Sequence, residues 1–182
     1  MIYPPGPPLK TDDEIWDALT KRIGEIVGVR TIQSEKGGDV PPLPYLTVSL
    51  LGTRAVRENP RDIDYSPEYD PDEVPDTSGE YAPVTASPCI DTEWHFSVFA
   101  YGTGLVTGLL RPLRSAFELS QIVEPVYPYL AVNDMSQIRR LPDFVNSQWR
   151  ERAQCDIFLH GVTLDGFVID TINATSLNVN RL

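Results

Sequence analysis

The sequence has only two cysteines, two histidines and two methionines among 182 residues, and it is short of positive charge, with 15 Lys and Arg against 26 Asp and Glu. Cys89 and Cys155 are far too widely spaced for a C-x-x-C ligand pair. Two unpaired, partly buried thiols are the simpler reading, and one bridge between strands is the other. The shortage of bases excludes a protein that grips nucleic acid over a broad basic face, because phosphate neutralisation needs clustered Lys and Arg. An acidic surface past which DNA slides stays open. No run approaches the roughly 20 apolar residues of a membrane span, the longest being Tyr45 to Gly52. The start, Met-Ile-Tyr-Pro-Pro-Gly-Pro-Pro, has neither the basic nor the apolar region of a signal peptide, so a soluble protein made and used on the cytoplasmic side is expected. The signatures G-x-x-x-x-G-K-[ST], G-x-G-x-x-G, H-E-x-x-H and G-x-S-x-G are all missing. Gly102-Thr103-Gly104 lies between a strand and a helix, but without a following Lys or third glycine it reads as a turn rather than a phosphate loop.

What is present is a local concentration of acid. From Glu58 to Glu80 nine acids face one base, Arg61, a net −8 in 23 residues that leaves only −3 for the rest of the chain. Pro60, Pro67, Pro71 and Pro75 lie in the same stretch, with Pro83 and Pro88 just beyond, so neither regular helix nor a central strand is expected there. The length fits a single domain, residues 1–182, which at this size buries roughly 70% of its unfolded surface. Within it residues 1–10 form a Pro-rich arm, 53–87 an acidic loop insertion, and 173–182 a C-terminal arm. Loops this long inside a compact fold are unusual and are either functional or disordered. Ile63, Tyr65, Tyr69 and Tyr81 are more than a linker needs, which suggests that the loop docks on something, a neighbouring subunit being one candidate.

Periodicity supplies the rest. Thr11-Asp12-Asp13-Glu14 fits a capping box, Ile15, Leu19, Ile23 and Ile26 follow at helical spacing, and Gly28 is a natural stop. Val29 to Gln33 and Tyr45 to Leu51 read as strands. Glu93 to Tyr101 alternates Trp94, Phe96, Val98 and Ala100 on one face with Glu93, His95, Ser97 and Phe99 on the other. Val106, Leu109, Leu110, Leu113 and Phe117 mark an amphipathic helix, in which Pro112 predicts a break. Tyr129 to Val132 and Gln137 to Leu141 are weaker strands, with Asn133-Asp134 turning or bulging between them. Ala153, Cys155, Ile157 and Leu159 oppose Arg152, Gln154, Asp156 and His160 on a further strand, and Leu164 to Phe167 reads as a turn into a last one, Phe167 to Ile172. The sum is an α+β fold: a mixed, largely antiparallel sheet of about four to six strands packed against two main helices.

Few groups of side chains suggest chemistry. His95, His160, Glu93 and Asp156 lie on outward strand faces and could form a divalent-metal cluster, although solvated strand faces explain them more simply. A Cys155–His160 nucleophile pair fails, because five residues apart on one strand they point to opposite faces. Asp70-Pro71-Asp72-Glu73 lacks the ordered spacing of a calcium loop. In Trp149 to Asp156, charges of both signs open an amphipathic strand, which fits either an edge strand guarded against aggregation or a salt-bridged subunit contact.

The strand Glu93 to Tyr101 closing at Gly102, the Leu-rich helix after it, the Leu141-Pro142 step and then Glu151-Arg152-Ala153-Gln154-Cys155-Asp156-Ile157 running into a strand together resemble the tail-terminator and neck-terminator proteins of tailed bacteriophages. The resemblance spans Glu93 to Ile172, and the N-terminal helix fits more loosely. The acidic insertion is not part of the family pattern. The resemblance implies a structural virion protein of the tail or neck, assembled in the host cytoplasm, with no catalysis and no cofactor. It implies a hexameric ring of the chain with itself, which caps the tail tube, stops its polymerisation and joins it to a neck or head-completion protein. The tail tube protein is then a partner, with the tail sheath as a further candidate, and DNA only passes through the lumen without sequence-specific binding. An acidic or neutral lining suits that passage, since a basic one would hold the duplex. The candidate interaction surface is Asp62, Asp64, Tyr65, Tyr69, Asp70, Asp72, Glu73 and Asp76 of the insertion with Arg150, Glu151 and Arg152. Other readings are a different head-to-tail connector, a small metal-dependent hydrolase built on the two histidines, and an acidic adaptor whose insertion binds a basic partner in a salt-sensitive way.

Overall fold

A computed structural model describes residues 11–37, 39–58, 60, 62–67, 84–119, 130–145, 147–164 and 167–169. The first helix, α1 (Asp12–Val27), begins where the capping box places it: the Glu14 amide donates to the Thr11 hydroxyl at 3.4 Å, and the Thr11 amide donates to the Glu14 carboxylate at 3.1 Å. It stops at Gly28, whose φ of 73° is left-handed and whose amide donates to the Gly24 carbonyl. Ile15, Trp16, Leu19 and Ile23 form its buried stripe.

β1 (Arg30–Gln33) pairs in parallel with β2 (Tyr45–Ala55), and every other pairing is antiparallel. Two long strands dominate, β4 (Val84–Gly102) with 19 residues and β8 (Gln148–Leu164) with 17. The main order is β1-β2-β4-β8-β5, where β5 is Ala131–Met135. Trp94, Phe96, Val98 and Ala100 of β4 oppose Leu159, Ile157, Cys155 and Ala153 of β8, so the two alternating patterns meet on one face. α1 and the second helix, α2 (Thr107–Phe117), cover that face side by side, and their Ile15, Leu19, Ile23, Leu110 and Leu113 complete the core. The architecture is the expected α+β layer of two helices on a mostly antiparallel sheet.

Nine strands appear among the described residues, more than the four to six expected. The difference comes from four short strands that pair along the overhanging ends of β4 and β8: β3 (Asp62–Pro67) and β9 (Phe167–Ile169) on β4, β6 (Arg139–Arg140) and β7 (Asp143–Val145) on β8. β3 and the start of β4 both fall within the stretch read as a loop, as does the end of β2, while residues 68–83 lie outside the described part. Proline density misleads here, because a residue in an antiparallel ladder donates to one neighbour only, so Pro88 removes a single bond from β4. The turn expected at Leu164 to Phe167 is not a reversal. Leu164 pairs with Cys89 and Phe167 with Ala86, so β9 continues the β8 register along the same strand.

Pro112 does not break α2, which runs through it as one helix. Pro112 and Gly108, whose carbonyl loses its usual donor, are both exposed, so that carbonyl lies on the solvent side. The bulge foreseen at Asn133-Asp134 is there, where the β5–β8 register slips between Val132 and Asp134.

Candidate functional site

The sheet face away from the helices carries a polar and aromatic ladder built by the even positions of β8 and the odd positions of β4. Asp156 is its centre. It accepts from the Ser97 hydroxyl at 2.8 Å, from Gln154 Nε2 at 3.2 Å and from Arg139 Nη2 at 3.2 Å. Around it Tyr45 stacks on Tyr101 at 4.8 Å, His95 stacks on Phe158 at 4.4 Å, and the Arg152 guanidinium lies over Phe99 at 5.2 Å. Glu93 is buried yet held by Arg54 Nε at 2.7 Å and Asn133 Nδ2 at 3.1 Å, and Arg57 reaches buried Asp91 at 3.2 Å.

This face brings the four residues of the metal reading together without making a metal site. His160 lies opposite Glu93 and Asp156 opposite Ser97, but His95 Nε2 is 3.9 Å from Asp156 and makes no hydrogen bond. No group of three His, Cys, Asp or Glu among the described residues is arranged to hold an ion. The partners of Glu93, His95 and Asp156 are instead arginines, side-chain amides, a serine and an aromatic ring. No described helix is long and apolar enough to cross a membrane.

Cys155 is fully buried in the core opposite Val98, nine positions down the ladder from Cys89, so the bridge reading falls away. Burial, with Asp156 adding to it, pushes its thiol up to about 12. An unfolded thiol loses its proton near 9 while the folded one keeps it, so above that pH the unfolded state binds fewer protons and stability falls as pH rises. We predict a loss of up to ~1.4 kcal/mol per pH unit from this group between pH 9 and 12. Urea melts of Cys155→Ala across that range should show a shallower slope than the parent, and an unchanged slope would refute the assignment.

The candidate interaction residues separate into two places. Asp62, Asp64 and Tyr65 are exposed on β3, at the end of β4 that outruns the helices. Tyr65 and Phe167, 58% and 61% exposed, flank Ala86 on either side, and Ile63 adds to the same apolar strip. Tyr69, Asp70, Asp72, Glu73 and Asp76 lie outside the described residues. Arg150, Glu151 and Arg152 sit at the far end of β8, where Glu151 and Arg152 still pair with Gly102 and Tyr101 of β4, so the edge-strand reading does not apply to them, while Arg150 pairs with Asp143 of β7 alone, past the end of β4. Their ion pairs lie within the chain: Arg140 grips Glu151 through both carboxylate oxygens and holds its carboxyl below the usual range, and Arg152 approaches Asp143 at 3.6 Å. Arg150 is exposed and pairs with no described acid.

Two residues beside Arg150 were not among the candidates. Trp149 and Phe144, 71% and 58% exposed, face each other across the β7–β8 hairpin with rings 5.1 Å apart. The legible signal was the Asn-Ser dipeptide between Phe144-Val145 and Gln148-Trp149, a turn composition between β-prone residues, and Ser147 has a left-handed φ of 62°.

A family model described as phage neck terminator protein matches residues 13–181. Among solved structures, the chain is similar to the sheath/tube terminator, in its extended state, of the extracellular contractile injection system PVC, at 10% identity and a TM-score of 0.44, over 95% of this chain. The chain spans 64% of the length of that structure's chain. No curated protein matches.

Proposed function

We propose a role for this chain on the premise that it belongs to the phage neck terminator family, whose place is the virion tail: it forms a ring that caps the tail tube, stops its polymerisation and joins the tail to the neck. The observation that carries this reading is the family match over nearly the whole chain, residues 13–181. Physical features support it. The long strands β4 and β8 leave apolar and charged ends uncovered in one subunit, which closed cyclic packing would bury. The net charge of −11 suits a ring through which DNA passes without being held. Tube protein, with sheath as a further candidate, would meet one face of the ring, and a neck or head-completion protein the other. The chain acts by geometry, without a catalytic step or a cofactor, and assembles in the host cytoplasm before joining the particle.

The test is to add the purified chain to polymerising tube protein and measure tube lengths by negative-stain microscopy. Shortened tubes with a ring density at one end are the expected result. Unchanged lengths and bare ends would overturn the reading, and copurification with portal-side proteins alone would point to a different connector.

A further inference from the structure

The apolar face of the sheet outruns the helix that starts on it. Asp12 accepts from the Trp94 indole at 2.7 Å, the Trp16 indole donates to the Val48 carbonyl at 3.0 Å, and the chain then enters β1 at Arg30. Val48 pairs with Val98 of β4, and Tyr45, the partner of Arg30, pairs with Tyr101. α1 therefore climbs along β4 from Trp94 towards Tyr101, and the residues before it leave at the Trp94 end. β4 extends ten residues beyond that point, to Val84, about 30 Å of strand.

Alternation carries the face that holds Trp94 down this arm through Thr92, Ile90, Pro88 and Ala86. The Thr92 and Thr163 hydroxyls meet on it at 2.9 Å. Further along, Ile63 lies opposite Pro88, and Tyr65 and Phe167 lie on either side of Ala86, all three of them exposed. A small floor between two rings is a groove of the kind that takes proline. Asp62 and Asp64 alternate onto the other face and take no part.

Residues 1–10, Met-Ile-Tyr-Pro-Pro-Gly-Pro-Pro-Leu-Lys, run into α1 at the Trp94 end of this face. Pro4, Pro5, Pro7 and Pro8 favour polyproline II, in which ten residues at ~3.1 Å each match the length of the arm. Its repeat of three places Ile2, Pro5 and Pro8 on one apolar edge. Prolines lack the N–H that a ladder needs, so the segment suits a sheet face better than a sheet edge. It holds no acid, whereas residues 68–83, which join β3 to β4, hold six that would lose solvation on an apolar face. We infer that residues 1–10 lie along this face of their own subunit as a polyproline strap, with Pro8 near Ile90 and the Ile2 to Pro5 end between Tyr65 and Phe167. The strap covers an apolar strip that would otherwise stand open. It leaves Trp149 and Phe144, at the opposite end of β8, for contact between subunits, and it does not depend on the ring reading.

The test replaces Phe167 with p-benzoylphenylalanine, which keeps an aromatic ring in the groove, and irradiates the full chain. A cross-link to residues 1–10, mapped by mass spectrometry in a species of single-chain mass, is the expected result. Should that variant fail to fold, the same probe at Tyr65 replaces it. Absence of the product, cross-links only to residues 68–83 or 120–129, or a link to residues 1–10 only at two-chain mass would overturn the inference. A thermal-melt cycle reads the same contact through stability. Ile2→Ser with Pro5→Ser, and Phe167→Ser, should each lower Tm by roughly 3 °C, and all three together by no more than the larger single loss. Fully additive losses would also overturn it.

Discussion

Replacing Trp94 with alanine should lower the unfolding free energy by about 3–5 kcal/mol, the usual range for deleting a fully buried indole. The ring lies in the β4 position that opposes Leu159, and its Nε1 donates to Asp12 at 2.7 Å, which ties the central strand to the first turn of α1. The substitution therefore opens a cavity and leaves Asp12 without that donor. Trp94→Phe separates the two effects, because it keeps most of the volume and removes only the hydrogen bond, for about 1 kcal/mol plus the smaller packing defect. Urea unfolding with an unchanged m-value is the measurement. It is best made at several protein concentrations, so that any contribution of assembly to apparent stability shows as a concentration dependence. A loss under about 1.5 kcal/mol for Trp94→Ala would mean that the site collapses around the cavity and that the joint between α1 and the sheet lies elsewhere.

Asp156→Ala should be the costliest change on the open face, at about 2–4 kcal/mol. The carboxylate accepts from Ser97, Gln154 and Arg139, and Ser97 is wholly buried, so its hydroxyl would lose an acceptor that water cannot replace. Asp156→Asn keeps an acceptor oxygen and should lose about half as much. A double-mutant cycle with Ser97→Ala should return a coupling of at least about 1 kcal/mol, as for residues that share a buried hydrogen bond. Additive losses would show that Asp156 acts through its charge on Arg139 rather than through Ser97. The same variants bear on the metal reading. If the ladder is purely structural, stability should not respond to added Zn²⁺ or Mn²⁺.

Much of the body was legible because local rules and burial agree there. The Thr11 to Glu14 box, the Gly28 stop and the alternation of Trp94 to Ala100 each depend on neighbours a few residues away. An irregularity at Asn133-Asp134 was legible for the same reason, with a turn and a bulge both open, and the register slip makes it a bulge. Reading failed where a rule about one residue met a partner it could not see. Pro112 was expected to break α2, but its helix partner position, Gly108, is on the solvent side. Prolines from Pro60 to Pro88 were expected to exclude a central strand, but the central strand β4 begins at Val84 and pairs through Pro88, where a single donor is missing. Arg150 to Arg152 left two readings level because sequence does not say what flanks a strand, and β4 turns out to flank Glu151 and Arg152 but to end short of Arg150.

The sequence by itself determined the α+β class, the two amphipathic helices, the inward faces of the central strands, the concentration of acid in one insertion and the lack of any catalytic signature. These follow from periodicity, capping and composition, which are properties of adjacent residues. Only the tertiary structure decided that β8 and β9 lie in one register along β4, that Asp156 gathers Ser97, Gln154 and Arg139, and that acidic and arginine-bearing ends stand about 50 Å apart. Those facts depend on strand register and strand length, which are set by pairing between segments distant in the chain. Shifting a register by one residue would turn every one of these side chains to the other face.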